Sequence, residues 1–201
     1  CIFLICVKLL LFMILMSVLV GHLQKFYTLP MHIIKVDAID STNTFLRNLN
    51  REKRLTNPVC VVAKEQMAGK GQMGSVWQSE VGKNLTCSVF MQVEDLQLVD
   101  QFFISIITSL AVYDTLKDLG TTKLSIKWPN DILSDRKKVC GVLIENVVKN
   151  GSLIGAIIGI GMNINQVTFQ NLPQAGSLKQ ILGKSFNVEE VLASLLIRLE
   201  E

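Results

Sequence analysis

A chain of 201 residues, 49% hydrophobic and 18% charged, has the length of one domain with at most a small appendage and is too apolar for disorder. Twenty Lys and Arg oppose 17 Asp and Glu for a net charge of +3. Residues 1–30 hold Lys8, Lys25 and no acid, so the rest carries no basic footprint and no nucleic-acid partner is expected. The five cysteines, at 1, 6, 60, 87 and 140, form no C-x-x-C pair, which argues against a zinc site or a disulfide framework and for buried, reduced thiols in a cytoplasmic protein.

The chain opens on about 20 nearly unbroken apolar residues, which taken literally would be a membrane-spanning segment or an uncleaved signal. Aliphatic content falls to ordinary amphipathic levels from Met31 on. Residues 1–30 are therefore expected to be a leader outside the domain, and residues 31–201 to form it. "HIIKVDAI" alternates as a strand, and "DSTNTFLRNLNREK" predicts a helix with Asp40, Ser41 or Thr42 at its N-cap. "PVCVVAKEQ" and "KNLTCSVFMQV" are β-rich and flank the glycine-rich "AGKGQMGSVWQS". A long apolar helix is predicted over residues 96–120, stopped by Gly120. "TKLSIKWPNDILS" predicts a strand that Pro129 must interrupt, because proline donates nothing to a ladder. Asn150-Gly151 between two β-rich runs is a strong hairpin signal, and "NVEEVLASLLIRLEE" predicts a closing amphipathic helix. Long antiparallel strands with few crossover helices give an α+β fold: a mixed, mainly antiparallel sheet with helices packed mainly on one face.

Gly69, Gly71 and Gly74 match G-x-G-x-x-G and, with Val76, the longer loop that covers ATP in protein kinases. A dinucleotide site needs the third glycine to open a helix, and "SVWQSEVGKNLTCSVFM" has no helical period. The kinase reading lacks H-R-D and D-F-G, and a P-loop would end in G-K-[ST]. What remains is a loop whose small residues let backbone N–H groups approach a ligand, with Lys64, Lys70 and Lys83 nearby. "KWPND" at 127–131, "DRKKVCGVLIE" at 135–145 and "GIGMNIN" at 159–165 add further Gly, Asn, Asp and Lys at strand ends. Each alone reads as a turn or a surface lysine pair.

In this order, with "DSTN" ahead of them, these segments resemble the catalytic domain of biotin–protein ligases over residues 32 to about 200. The resemblance implies a fold similar to that of class II aminoacyl-tRNA synthetases. It also implies two chemical steps: biotin and Mg-ATP give biotinyl-5′-adenylate and pyrophosphate, and a lysine of a biotin carboxyl-carrier domain of a carboxylase then takes the acyl group. Residue by residue, it implies that Lys138 is the catalytic lysine, bridging carboxylate and α-phosphate, and that Asp131 is a second catalytic residue, positioning nucleotide, metal or the incoming lysine together with Asn130. Ser41, Thr42, Asn43 and Gln66 would bind the ureido ring, and Gly141, Gly159 and Gly161 would line the biotin slot. Lys70, Gly71 and Gln72 would cover the adenylate, with Asn130 and Asn163 also facing the nucleotide. ATP, Mg2+ and biotin are the implied small molecules, the Mg2+ carried by ATP rather than by a protein metal site. Trp77 and Trp128 are read as packing residues.

The chain also departs from the pattern. Many members read G-R-G-R where this one has Gly69-Lys70-Gly71-Gln72. Arginine grips phosphate with two bonds, lysine is a point charge and glutamine carries none, so a looser hold on the adenylate is expected. The small β-barrel that usually follows the domain is expected to be absent or truncated, and no helix-turn-helix is expected ahead of it. A homodimer is left open. A lipoate or octanoate ligase or transferase of the same fold is the alternative, although it would need a long apolar channel where Ser41, Thr42, Asn43 and Gln66 stand. An alternative of another class is a membrane-anchored ligand-binding protein.

Overall fold

The computed structural model describes residues 31–94 and 96–201; the leader expected over residues 1–30 lies outside the described residues. Seven strands form one mixed sheet: β1 (His32–Ile39), β2 (Val59–Gln66), β3 (Leu85–Gln92), β4 (Leu124–Lys127), β5 (Asp131–Ser134), β6 (Lys137–Lys149) and β7 (Ser152–Met162). Their order is β1-β2-β3-β7-β6-β5-β4, with β1 and β2 parallel and every other pair antiparallel. The helices are α1 (Thr42–Lys53), α2 (Phe102–Asp118), α3 (Leu178–Leu182) and α4 (Val188–Glu200).

Local chemistry accounts for the element ends. Ser41 is the N-cap of α1, its hydroxyl accepting from Thr44 N–H at 3.5 Å. The long helix begins later than its apolar run suggests, since Leu98–Asp100 form a separate 3₁₀ turn. It ends as expected: Gly120 at φ 90° lets its own N–H reach Lys117 O and lets Thr121 N–H reach Leu116 O, a Schellman pair. Asn150 and Gly151 have φ of 52° and 79° and join β6 to β7 by a two-residue turn, as their sequence demands. Two features are corrections. "KWPND" does not merely interrupt a strand, because Lys127 pairs antiparallel with Asp131 and the chain reverses there into β5. The five-residue α3, with its Ser177–Gln180 capping box, is an addition.

Period-two alternation assigns the two faces of the sheet. Cys60, Cys87, Val89, Cys140, Val142, Ile158 and Ile160 pack with Ile104, Val112 and Leu116 of α2 and Val191, Leu195 and Leu199 of α4 into one large core. Burial pushes the Cys140 thiol up, and a hydrogen bond with Cys60, then burial, does the same for Cys87. All three described cysteines are free and buried. The opposite face is only half covered: α1 lays Leu46, Phe45 and Leu49 on Val59, Val61, Phe90 and Ile157. Helices thus pack on both faces, the two longest on one and α1 on the other. Full burial of Leu46 alone contributes roughly 1.5–3 kcal/mol to anchoring α1, whose N-terminus then overhangs the uncovered half.

Candidate active site

That uncovered half is a cavity of about 270 Å3. Its floor is the glycine-bearing part of β6 and β7, where Gly141 sits directly across from Gly161 and Gly159 from Leu143. Its walls are the N-terminus of α1, the end of β2, the glycine-rich loop and the β4–β5 turn. Ser41, Thr42, Asn43, Gln66, Lys70, Gly71, Gln72, Asn130, Asp131, Lys138, Gly141, Gly159 and Gly161 all line it. Segments up to 120 residues apart in sequence therefore meet in one place, as the motif order requires.

The cavity's polar end is a hydrogen-bonded network. Gln66 Oε1 accepts from Thr42 N–H at 2.8 Å and lies 3.0 Å from Thr42 Oγ1. Ser88 Oγ, fully buried on β3 beneath α1, is 2.7 Å from Thr42 Oγ1 and 2.5 Å from Asn43 Oδ1. Asn43 Nδ2 donates to Leu143 O at 3.4 Å. Ser88 was not among the expected site residues, because a serine in a β-rich run carries no motif. Just outside, Arg47 of α1 pairs with Glu145 of β6 at 3.3 Å and ties the helix to the floor.

The charged end centres on Lys138. Its Nζ lies 2.7 Å from Asp131 Oδ1 in an ion pair not aligned as a hydrogen bond, and 5.6 Å from the centre of the Trp77 ring. Its backbone is held on both sides, N–H to Gln174 O at 2.7 Å and C=O from Gly176 N–H at 3.0 Å. Lys138 and Lys70 are the cations on the cavity wall, and Asp131 its carboxylate. Among the described residues no group of three His, Cys, Asp or Glu side chains could hold a metal ion.

The glycine-rich loop is a small hairpin flap: Lys70 pairs with Val76, Gly71 N–H donates to Ser75 O at 2.7 Å, and Trp77 N–H to Gly69 O at 3.0 Å. Met73 and Gly74, at φ 53° and 80°, make its tip, and no helix follows Gly74 as a dinucleotide site would require. The flap lays the Trp77 indole over the Gly141–Gly161 pair, so Trp77 does pack, but in the site itself, with its Nε1–H buried and unpartnered. Trp128, 58% exposed, does not pack. The glycines prove necessary for a reason the sequence hid. A Cβ on Gly161 would drive into the Trp77 ring, one on Gly141 would lie 3.0 Å from Lys138 Cε and 3.0 Å from Trp77 Cζ3, and one on Gly159 would collide with Asn43 Oδ1. The space above each is taken by a protein side chain. Asn163, expected to face the nucleotide, does not line the cavity; it is buried and donates from Nδ2 to Lys138 O at 3.3 Å, bracing the lysine's strand.

Comparison with known proteins gives a consistent picture. Residues 36–163 match the biotin/lipoate A/B protein ligase family. The chain is 31% identical over 175 residues to a bifunctional ligase/repressor BirA of Bacillus spizizenii, covering 85% of this chain and 53% of that one. It is 31% identical over 142 residues to a biotin–[acetyl-CoA-carboxylase] ligase of Paracoccus denitrificans, covering 70% and 55%. The chain thus spans about half the length of these curated relatives. Among solved structures, a biotin protein ligase from Aquifex aeolicus in complex with biotin and ATP superposes with a TM-score of 0.70 at 29% identity, over 84% of this chain and 68% of that one.

Proposed function

We infer the function of this chain from its family and its cavity together: it belongs to the biotin/lipoate A/B protein ligase family, and we propose that it attaches biotin to a lysine of a carboxyl-carrier domain through biotinyl-5′-AMP. The observation that carries the choice within the family is the split chemistry of the cavity. One end offers the hydroxyls of Ser41 and Thr42 with the Asn43 and Gln66 amides, suited to a ureido ring; the other offers Lys138 and Lys70, suited to a carboxylate beside a triphosphate. An apolar acyl chain or dithiolane would strip water from this polar end and return no hydrogen bond, at a cost of about 1–3 kcal/mol per polar group desolvated without a new partner. That disfavours the lipoate reading.

In the first step a biotin carboxylate oxygen attacks the α-phosphorus of ATP, the bond from that phosphorus to the α,β-bridging oxygen breaks, pyrophosphate leaves, and biotinyl-AMP forms. The two anionic reactants must be brought together before any bond forms, and Lys138, held rigid through its backbone, supplies the cation between them. Asp131 holds the Lys138 ammonium until the substrate anions take its place. The flap and Trp77 cover the floor and keep water from the acyl-adenylate. In the second step the neutral amine of a carrier lysine attacks the acyl carbon, AMP leaves, and an amide results. Mg2+ carried by the nucleotide would offset phosphate charge. The carrier domain is the proposed partner, and the cytoplasm the proposed location.

The test is biotin-dependent exchange of pyrophosphate into ATP, run beside lipoate, with Lys138→Ala as control. Exchange with biotin alone, lost in the variant, is the expected result. Exchange with lipoate alone would move the chain to the other branch of its family.

A further inference from the structure

We propose that Ser88 is a positioning residue that sets the specificity of the site by fixing which way the Thr42 hydroxyl points; the proposal rests on the biotin reading above. Ser88 does not line the cavity, and its whole side chain is buried between β3 and α1. It therefore acts through its neighbours.

The reasoning is a count of protons. Three oxygen–oxygen contacts run in series: Gln66 Oε1 to Thr42 Oγ1 at 3.0 Å, Thr42 Oγ1 to Ser88 Oγ at 2.7 Å, and Ser88 Oγ to Asn43 Oδ1 at 2.5 Å. Gln66 Oε1 and Asn43 Oδ1 are amide oxygens without protons, so two hydroxyl protons serve three contacts. The shortest contact, 2.5 Å, must hold a proton, and only Ser88 can supply it. Thr42 then spends its own proton inward on Ser88, the nearer of its two acceptors at 2.7 Å against 3.0 Å for Gln66. It has none for a ligand, and its oxygen meets the cavity purely as an acceptor. The contact between Thr42 Oγ1 and Gln66 Oε1 stays without a hydrogen, and because both residues line the cavity a ligand N–H can donate to that pair of oxygens. A ureido nitrogen brings such a hydrogen, whereas a fatty acyl chain or a dithiolane does not.

Removing the Ser88 hydroxyl undoes the arrangement. Thr42 turns its proton to Gln66 Oε1 or into the cavity, so the pair of bare oxygens is lost and the match to an N–H donor weakens, while Asn43 stays seated by its bond to Leu143 O. The test is isothermal titration of the full chain with biotin in a double-mutant cycle of Ser88→Ala and Thr42→Val. Ser88→Ala alone is expected to weaken biotin binding about 3- to 12-fold, within the range for one hydrogen bond. Added to Thr42→Val it should cost less than about twofold more, because the group it acts through is gone. Desthiobiotin, which keeps both ureido N–H groups, should lose the same factor as biotin. Ser88→Cys, which keeps the shape and a weak donor, should fall between wild type and alanine, and it carries the cycle alone if the alanine variant does not fold. Wild-type affinity in the Ser88 variants, or a full loss that persists in the Thr42→Val background, overturns the role of Ser88. Absence of biotin binding by the wild-type chain overturns the biotin reading and this proposal with it.

Discussion

Replacing Gly159 by alanine tests whether the cavity is built by close approach. The new methyl would lie far inside contact with Asn43 Oδ1, 3.0 Å from Asn43 Cγ and 3.3 Å from Nδ2, with strand backbone behind it that cannot yield. Asn43 must withdraw, and it is 97% buried, so the bonds to Ser88 at 2.5 Å and to Leu143 O at 3.4 Å go with it. Stranding those groups costs about 1–3 kcal/mol, against a gain of roughly 0.4–1 kcal/mol from the stiffer unfolded chain. The net loss of about 1–2 kcal/mol lowers the melting temperature by about 2–8 °C for a domain of this size. Because Asn43 also lines the cavity, biotin affinity should fall about tenfold or more. Melting by circular dichroism and titration with biotin read the two effects separately. In an Asn43→Ala background the three nearest atoms to the same methyl are gone, and most of the stability cost should vanish with them. A cost of full size in that background would refute the reasoning.

Three further predictions concern other parts of the molecule. Lys138→Ala should reduce pyrophosphate exchange by about 100-fold or more with the fold unchanged, and a far-UV spectrum altered from wild type would point to a structural role instead. Gln72→Arg should slow the escape of biotinyl-AMP by about tenfold, measured as adenylate retained after gel filtration, since a charged, bidentate donor replaces a neutral one on the cavity wall. Stability should fall above about pH 9. Cys87 and Cys140 are raised from a usual value of 9.0, so the folded state holds protons that the unfolded state releases, and stability present below pH 9 is lost as pH rises. Each thiol contributes a slope of about 1.4 kcal/mol per pH unit, and Cys140→Ala should remove its share in denaturation curves taken between pH 7 and 10.5.

Legibility differed from segment to segment for identifiable reasons. The Asn150–Gly151 turn was readable because its two positive φ angles demand those residue types. The Asp135–Arg136 turn between β5 and β6, with φ of 46° and 67°, was not, since neither residue type signals such a conformation strongly. α3 is five residues long, too short for periodicity to register. That the Asn163 side chain turns to Lys138 O rather than into the cavity was not legible, because its position in "GIGMNIN" says which strand end it occupies but not which way the side chain turns. Ser88 was invisible for the same reason: its partners Thr42 and Asn43 stand more than 40 residues away.

By itself the amino-acid sequence determined the alternation that builds two faces, the caps and turns that end most elements, and the ordered set of motif segments that marks the family. These depend on neighbours within a few positions, or on residue types that only one backbone conformation tolerates. Tertiary structure alone decided what stands over each glycine, which lysine faces which carboxylate, and which two hydroxyls stand in line between two amide oxygens. Those relations are set by strand order, by the register of Gly141 against Gly161 and by the seating of α1 on β3, all made by chain segments distant in sequence.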